Sequence, residues 1–242
     1  MSRCALITGA SGGIGSACAR ALARDGFKLV LCFSSNEDKA LQLAEELKAI
    51  TDVITVRADV SDSSQVNNAF KNATEAFGGV SVLVNSAGIA QQKLFTDITD
   101  GDWARMVGIN LTGVFNTCRC AVPYMVKQKA GKIINISSMW GVCGASCEVH
   151  YSAVKAGVIG LTKALARELA PSNIQVNCIT PGVIDTPMNS CFSQAELDAL
   201  REETPMGRFG TPDEVASLVS YLAGDASGYV TAQVIGVDGA FI

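Results

Sequence analysis

Seven short runs rich in apolar and β-branched residues recur along the chain: CALIT, KLVLCF, VITVRA, VSVLVN, KIINIS, IQVNCI and QVIGVD. Between them, near residues 14–25, 37–49, 62–77, 101–128, 151–170 and 212–223, apolar residues repeat at helical spacing. Start signals stand at Asp62, at Thr99 and at Thr211-Pro212 with Glu214 behind them. Strands separated by helices cannot pair as hairpins, so they pair in parallel, and right-handed crossovers put helices on both faces of the sheet. The expectation is a single α/β domain over residues 1–242, a doubly wound parallel sheet of seven strands. Its ligand site should lie beyond the carboxyl ends of the strands. The longest irregular stretch, PGVIDTPMNSCFSQ, follows the sixth strand and opens a segment at about 183–210 expected to form a lid over that site.

Composition narrows the function. The chain is long enough to bury a full core, and no shift in composition marks a second domain. With 48% hydrophobic residues, 17% charged residues and a net charge of -4, neither a disordered chain nor a surface for nucleic acid is expected. No apolar run reaches the roughly 20 residues that cross a bilayer. The opening MSRCALITGA passes from one arginine straight into a strand pattern, so no signal peptide or membrane anchor is expected. Nine cysteines without a CxxC pair, and a single histidine, suit neither a disulfide framework nor a zinc site. A reducing cytoplasm and no bound metal are expected, with Cys4, Cys32 and Cys178 as small buried hydrophobes.

Thr8-Gly9-Ala10-Ser11-Gly12-Gly13-Ile14-Gly15 ends the first strand and opens the first helix, the setting a phosphate-binding turn requires. Gly9 permits a tight turn, Gly13 lets backbone approach a pyrophosphate, Gly15 lets helix and strand pack closely, and the amides around Ser11, Gly12 and Ile14 supply donors. A Rossmann-type dinucleotide site is the reading. The second strand ends in Leu31-Cys32-Phe33-Ser34-Ser35-Asn36, without the acid that would accept from a ribose diol. Ser34, Ser35 and Asn36 can instead donate to a 2′-phosphate, so NADP(H) is expected over NAD(H), although neither the turn nor this loop carries an arginine. The same three residues also read as a helix cap. Asp59, with Val60 beside it, can accept from an adenine amino group, and Asn85, Ala87 and Gly88 form a small-residue wall after the fourth strand.

Tyr151 and Lys155 stand four apart in a helical pattern and should share one face. Tyrosine titrates near ~10, and a fixed ammonium nearby is expected to lower that value, making a proton donor and acceptor, though an amphipathic helix can carry the pair without chemistry. Ser138 ends the fifth strand, read as KIINISS, and Asn110 lies in the preceding helical segment, so both can converge on the pair at the carboxyl edge of the sheet.

With these residues the chain resembles the classical short-chain dehydrogenase/reductase family over essentially its whole length: TGASGGIG at 8–15, NSAG at 85–88, Asn110, Ser138, YSAVK at 151–155 and PG at 181–182. The resemblance implies that Ser138 hydrogen-bonds a substrate carbonyl, and that Tyr151 protonates its oxygen while nicotinamide delivers hydride to carbon. It further implies that Lys155 holds the nicotinamide ribose, that Asn110 holds a water linking Lys155 to solvent, and that Pro181, Gly182 and Thr186 meet the nicotinamide side. Two departures are mild: Ser86 replaces a more usual asparagine, and Gly12 stands where many NADP-dependent members carry arginine.

Within the family, the ending IGVDGAFI and the run of motifs resemble 3-oxoacyl-acyl-carrier-protein reductases of bacterial fatty acid synthesis. Lys129 stands at one of their basic carrier-docking positions, whereas Ser172 replaces the other. The segment SSMWGVCGASCEVHYS resembles the active-site loop of reductases acting on a 5-aminopentanone group carried by elongation factor P. There Glu148 would pair with an ammonium and Trp140 would wall the pocket; alternatively, Glu148 is a solvated or helix-starting charge, and Trp140 is ordinary packing. His150 reads as a partly exposed neighbour of Tyr151 without a chemical role. A binding-only regulatory module remains the reading from another class. The helices at 101–128 and 151–170 carry surplus apolar surface, and the resemblance implies that they pair in a homotetramer.

Overall fold

All seven apolar runs form strands: β1 (Cys4–Thr8), β2 (Lys28–Phe33), β3 (Val53–Arg57), β4 (Val82–Asn85), β5 (Gly131–Ile136), β6 (Ile174–Pro181) and β7 (Val234–Val237). The computed structural model describes residues 3–242, apart from the side chains of Ser190 and Cys191. The strands form one sheet in the order β3-β2-β1-β4-β5-β6-β7, every pairing parallel. Because helices cover both faces, β1 and β6 are buried from end to end. The winding reverses between β1 and β4, and such a reversal opens a crevice at the carboxyl ends of the strands.

Helices α1 (Gly13–Arg24), α2 (Glu37–Leu47), α3 (Ser63–Phe77), α4 (Asp100–Val107), α5 (Gly113–Gln128), α6 (Trp140–Cys143), α7 (Val149–Leu169), α8 (Gln194–Glu203) and α9 (Pro212–Ala223) complete the fold. Leu22, Leu47 and Val219 bring α1, α2 and α9 onto one face of the sheet. Phe70, Met125 and Val158 bring α3, α5 and α7 onto the other. Cys4, Cys32 and Cys178 are buried as expected, and burial pushes the thiols of Cys4 and Cys32 up to about 12. Among the described residues, no helix is long and apolar enough to cross a membrane.

Three local differences from the periodicity matter for the site. The segment expected as one helix over 101–128 is α4 and α5 joined by a π turn, Gly108–Thr112, which carries Asn110. Such a turn breaks the regular ladder and re-aims a side chain. The strands stop at Arg57 and Ile136, so Asp59 and Ser138 sit in the loops just beyond. Finally, the stretch read as irregular after β6 holds a short turn at Pro187–Cys191 and leads at its end into α8, a helix not expected in the segment 183–210, opened by a reciprocal capping box between Ser193 and Glu196. That Ser-x-x-Glu signal was legible in the sequence. No residue of α8 is buried, and its flanks are stapled at the base by Gly210 N to Val183 O at 3.0 Å and Asp185 N to Gly210 O at 2.8 Å.

Candidate active site

At the end of β1 the chain turns at Gly9, where φ is +64°. A Cβ there would lie 2.8 Å from Ala87 Cα, and one on Gly15 would overlap the Gly9 carbonyl oxygen. The β1 and β4 exits are joined by Thr8 Oγ1, which accepts from the amides of Ser86 and Ala87 at 3.1 Å each. Gly12 starts α1 without a side-chain cap, so the first amides of this helix face outward from a turn bare of side chains. Ser11 and Ile14 flank that turn, and a Cβ on Gly13 would lie 2.6 Å from Thr186 Cγ2, which sets the segment after β6 directly over it. This cradle fits a dinucleotide pyrophosphate.

Ser34, Ser35 and Asn36 are exposed, and Asn36 starts α2 without a side-chain cap. Asn36 thus occupies the cap position of α2 without using its side chain as the cap. Beside them lies a group the linear reading missed, Arg57 at the end of β3, whose Nε donates to Ser34 O at 3.2 Å. Asp59 Oδ1 accepts from Ser61 N at 2.9 Å and Ser61 Oγ at 2.7 Å, and the Val60 carbonyl accepts from Asn116 Nδ2 at 3.0 Å. Asn85, expected in the cofactor wall, turns its side chain inward. Its carboxamide is 3% exposed and satisfied inside the protein, accepting from Thr117 Oγ1 at 2.7 Å and donating to Asn135 Oδ1 at 2.9 Å. It ties α5 to the sheet. Pro181 O accepts from Met139 N at 2.9 Å, and Gly182 N donates to Val237 O at 3.0 Å.

The two ends of the site meet at Gly88, where a Cβ would lie 2.7 Å from Asn110 Oδ1 and 3.5 Å from Lys155 Nζ. Lys155 Nζ donates to Ile136 O at 3.0 Å, and Ser137 Oγ donates to Lys155 O at 2.8 Å, so the β5 exit grips α7 twice. Ser138 Oγ accepts from Trp140 N at 3.2 Å, and its side chain acts on the Tyr151 phenol. Asn110 accepts from Ile89 N at 3.3 Å and donates to Ile89 O at 3.1 Å. All four expected groups thus converge.

Their protonation differs from the expectation. Burial pushes the Tyr151 phenol up to about 12; Ser138 offsets this in part, and the Glu148 charge adds to it. Burial also brings Lys155 down to about 8. The ammonium does not lower the tyrosine, because it lies 5.5 Å from the ring centroid in a site where desolvation of the phenolate dominates.

Glu148 is not a solvated charge: it is 6% exposed, and burial raises its carboxyl above the usual range, offset in part by the Gln92 side chain. Trp140 packs edge-on against Phe241 with ring centroids 5.4 Å apart. His150 is fully buried rather than partly exposed, its Nε2 3.0 Å from Gln91 Oε1. Lys129 is exposed, and Asn173 Nδ2 donates to its carbonyl at 3.2 Å, which brings the Ser172 turn alongside. Sequence reasoning also passed over Thr8, Arg57 and Gln91. Only Thr8 carried a signal, as the residue opening the glycine turn.

Residues 9–241 match the family model described as enoyl-(acyl carrier protein) reductase. The 3-oxoacyl-acyl-carrier-protein reductase of Thermotoga maritima is 41% identical over 239 residues, 98% of this chain and 96% of that protein. The Staphylococcus aureus reductase of the same name is 39% identical over 240 residues, 99% and 98% of the two chains. The crystal structure of 3-oxoacyl-acyl-carrier-protein reductase from Brucella melitensis superposes with a TM-score of 0.92 at 35% identity, over 98% of this chain and 90% of that one. The protein is therefore a nicotinamide-dependent oxidoreductase acting on ketone and hydroxyl groups. The chain belongs to the short-chain dehydrogenase/reductase family.

Proposed function

We propose that this enzyme is an NADPH-dependent ketoreductase that reduces a 3-oxoacyl thioester, borne by acyl carrier protein, to the 3-hydroxyacyl form. The observation carrying this reading is the convergence of Ser138, Tyr151, Lys155 and Asn110 beside Gly88, in a chain so similar to reductases of that name. Gly9, Ser11, Gly12, Gly13, Ile14 and Gly15 would hold the pyrophosphate, Asp59 and Val60 the adenine, Ala87 and Gly88 one ring face, and Pro181, Gly182 and Thr186 the nicotinamide end. A reduced nicotinamide, when bound, supplies hydride to the ketone carbon. Ser138 donates a hydrogen bond to the ketone oxygen, and Tyr151 gives that oxygen its proton as negative charge builds there. A phenol held at about 12 stays protonated at neutral pH, yet is more acidic than the alcohol formed. Lys155 returns the proton to Tyr151, replenished from solvent past Asn110. Convergence of these groups argues against a module that only binds dinucleotide.

For the cofactor, Ser34, Ser35 and Asn36 would receive the 2′-phosphate and Arg57 would supply its countercharge, offsetting Glu37 and Asp38 in the first turn of α2. Arg57→Met is expected to raise the Kd for NADPH about tenfold and to leave that for NADH unchanged, as read by fluorescence titration. Equal effects on both nucleotides would remove the arginine from this role. The stapled segment between Val183 and Gly210 would act as the lid. The exposed apolar side chains Trp103, Phe115 and Val126 on α4 and α5 support pairing of subunits in a homotetramer. The described cysteines are free thiols, in keeping with work in a reducing cytoplasm.

One observation favours a second substrate. Glu148 is a buried carboxylate within electrostatic reach of Tyr151, and among the described residues it forms no ion pair. A ketone bearing an ammonium, such as the 5-aminopentanone group on elongation factor P, would satisfy it; a neutral acyl chain would not. NADPH absorbance with a 3-oxoacyl thioester and an aminoketone of matched length, in wild type and Glu148→Gln, separates the two. Preference for the thioester, untouched by the substitution, is the expected result; preference for the aminoketone, lost with Glu148, moves the enzyme to the second substrate.

A further inference from the structure

Between the β4 exit and a short turn at Phe95–Asp97, residues 86–94 have no regular secondary structure, yet they run between the elements that carry the chemistry. Side chains hold them in place of a ladder. Gln91 lies at the centre, its Nε2 donating to Asp102 Oδ1 at 2.9 Å and its Oε1 3.0 Å from His150 Nε2. A carboxylate only accepts, so the amide nitrogen of Gln91 must face Asp102, its oxygen must face His150, and His150 must carry its proton on Nε2. His150 Nδ1 is buried without a partner among the described residues, so a second proton there would be stranded. Burial accordingly holds His150 below its ordinary pKa, with Asp102 acting in the opposite sense and Lys93 in the same sense. The ring is neutral at pH 7 and serves as a donor to Gln91.

Lys93 reaches the same carboxylate at 2.6 Å, and its amide donates to Cys147 O at 2.8 Å, just before α7. With side chains 34% and 19% exposed, Lys93–Asp102 is the least exposed ion pair among the described residues. On the other side, Asn110 grips both the amide and the carbonyl of Ile89. One strap thus joins Asn110, the start of α4 and the first turn of α7.

We propose that Gln91 is a positioning residue for ketone reduction: by tying Asp102 to His150 it fixes the first turn of α7, and with it Tyr151 and Glu148, against Asn110 and Gly88. This inference rests on the reading of Tyr151 as proton donor. A displacement of about 1 Å at a reacting group costs up to about a hundredfold in rate, so a tether remote from the reacting atoms carries weight.

Gln91→Met tests it, being close in length and unable to bridge. The substitution leaves the Thr99–Asp102 capping box of α4 and the Lys93–Asp102 pair in place. The expected result is a fall in kcat of about tenfold, with KM and NADPH affinity changed by less than about twofold. Backbone amides of residues 89–93 and of the first turn of α7 should exchange with deuterium faster, while those of α4 do not change. An unchanged kcat overturns the proposal, and so does a parallel loss of kcat and NADPH affinity, which would mark a merely structural residue. If wild type reduces no ketone, the catalytic reading itself has failed. The tether is then judged by exchange alone: faster exchange in the first turn of α7 retains it, and unchanged exchange removes it.

Discussion

Tyr151→Phe is expected to lower kcat for ketone reduction about a thousandfold while leaving NADPH affinity within about a factor of two. The ring keeps its packing against Met106 and Val154, so the substitution removes a proton and little else. General acid catalysis is worth roughly a hundredfold to ten-thousandfold, and the neighbouring Ser138 hydroxyl, an aliphatic alcohol and a weaker acid than a phenol, is a poor replacement. The pH profile of wild type separates the donor from the group that recharges it. Lys155 is held at about 8, so its ammonium exists below that value and is lost as pH rises through it. Reduction consumes a proton, so turnover should be flat below about 8 and decline above it. The phenol, at about 12, stays protonated over the whole of that range. A break near 8 therefore reports Lys155. Tyr151→Phe with more than about a tenth of wild-type turnover would remove Tyr151 from the donor role.

The second large effect falls at the other end of the crevice. Gly9→Ala should destabilise the fold and abolish tight nucleotide binding together. Its backbone has φ +64°, a region that costs a residue with a Cβ about 1–2 kcal/mol. The added carbon would also lie 2.8 Å from Ala87 Cα and 2.9 Å from Ala87 N. That backbone cannot retreat without breaking the bonds that hold Ser86 and Ala87 to Thr8 Oγ1 at 3.1 Å. Since about 1 kcal/mol shifts the melting temperature of a chain this size by about 2–4 °C, a drop of about 5 °C or more is expected, with NADPH affinity weakened more than about tenfold. Gly160→Ala is the control: a Cβ there meets nothing within 4 Å, and alanine in a helix interior adds about 0.5–1 kcal/mol. Calorimetry and nucleotide titration on both variants check the pair, and wild-type nucleotide affinity in Gly9→Ala would show that the turn is not the phosphate site.

Much of the architecture was written in local pattern. The runs from CALIT to QVIGVD read as strands because a sheet covered on both faces demands apolar residues at every position, and the intervening stretches read as helices by their spacing. Tyr151 and Lys155 were legible for the same reason, since four residues along one helix determine that two side chains share a face. Helix α8 announces itself only through the Ser193–Glu196 cap, because it buries no residue and so carries no apolar stripe.

What stayed hidden depends on partners far apart in the chain. The inward bond of Asn85 is invisible until Asn135, fifty positions on, accepts its amide; His150 reads as half-exposed until Gln91, fifty-nine positions away, meets its ring. Arg57 lies outside the loop it serves by 23 positions, and only the pairing of β2 with β3 brings it to Ser34. The direction of the tyrosine shift was hidden too, because burial is a property of the assembled core and not of the Tyr151–Lys155 spacing. The amino-acid sequence by itself therefore determined the α/β order, the glycine turn and the placing of Tyr151 and Lys155 on one helix face, all matters of residue type and short-range geometry. Tertiary structure alone decided which polar groups are already satisfied, which are desolvated and which distant side chains hold the site in place, since hydrogen-bond partnership and burial exist only once the chain has closed on itself.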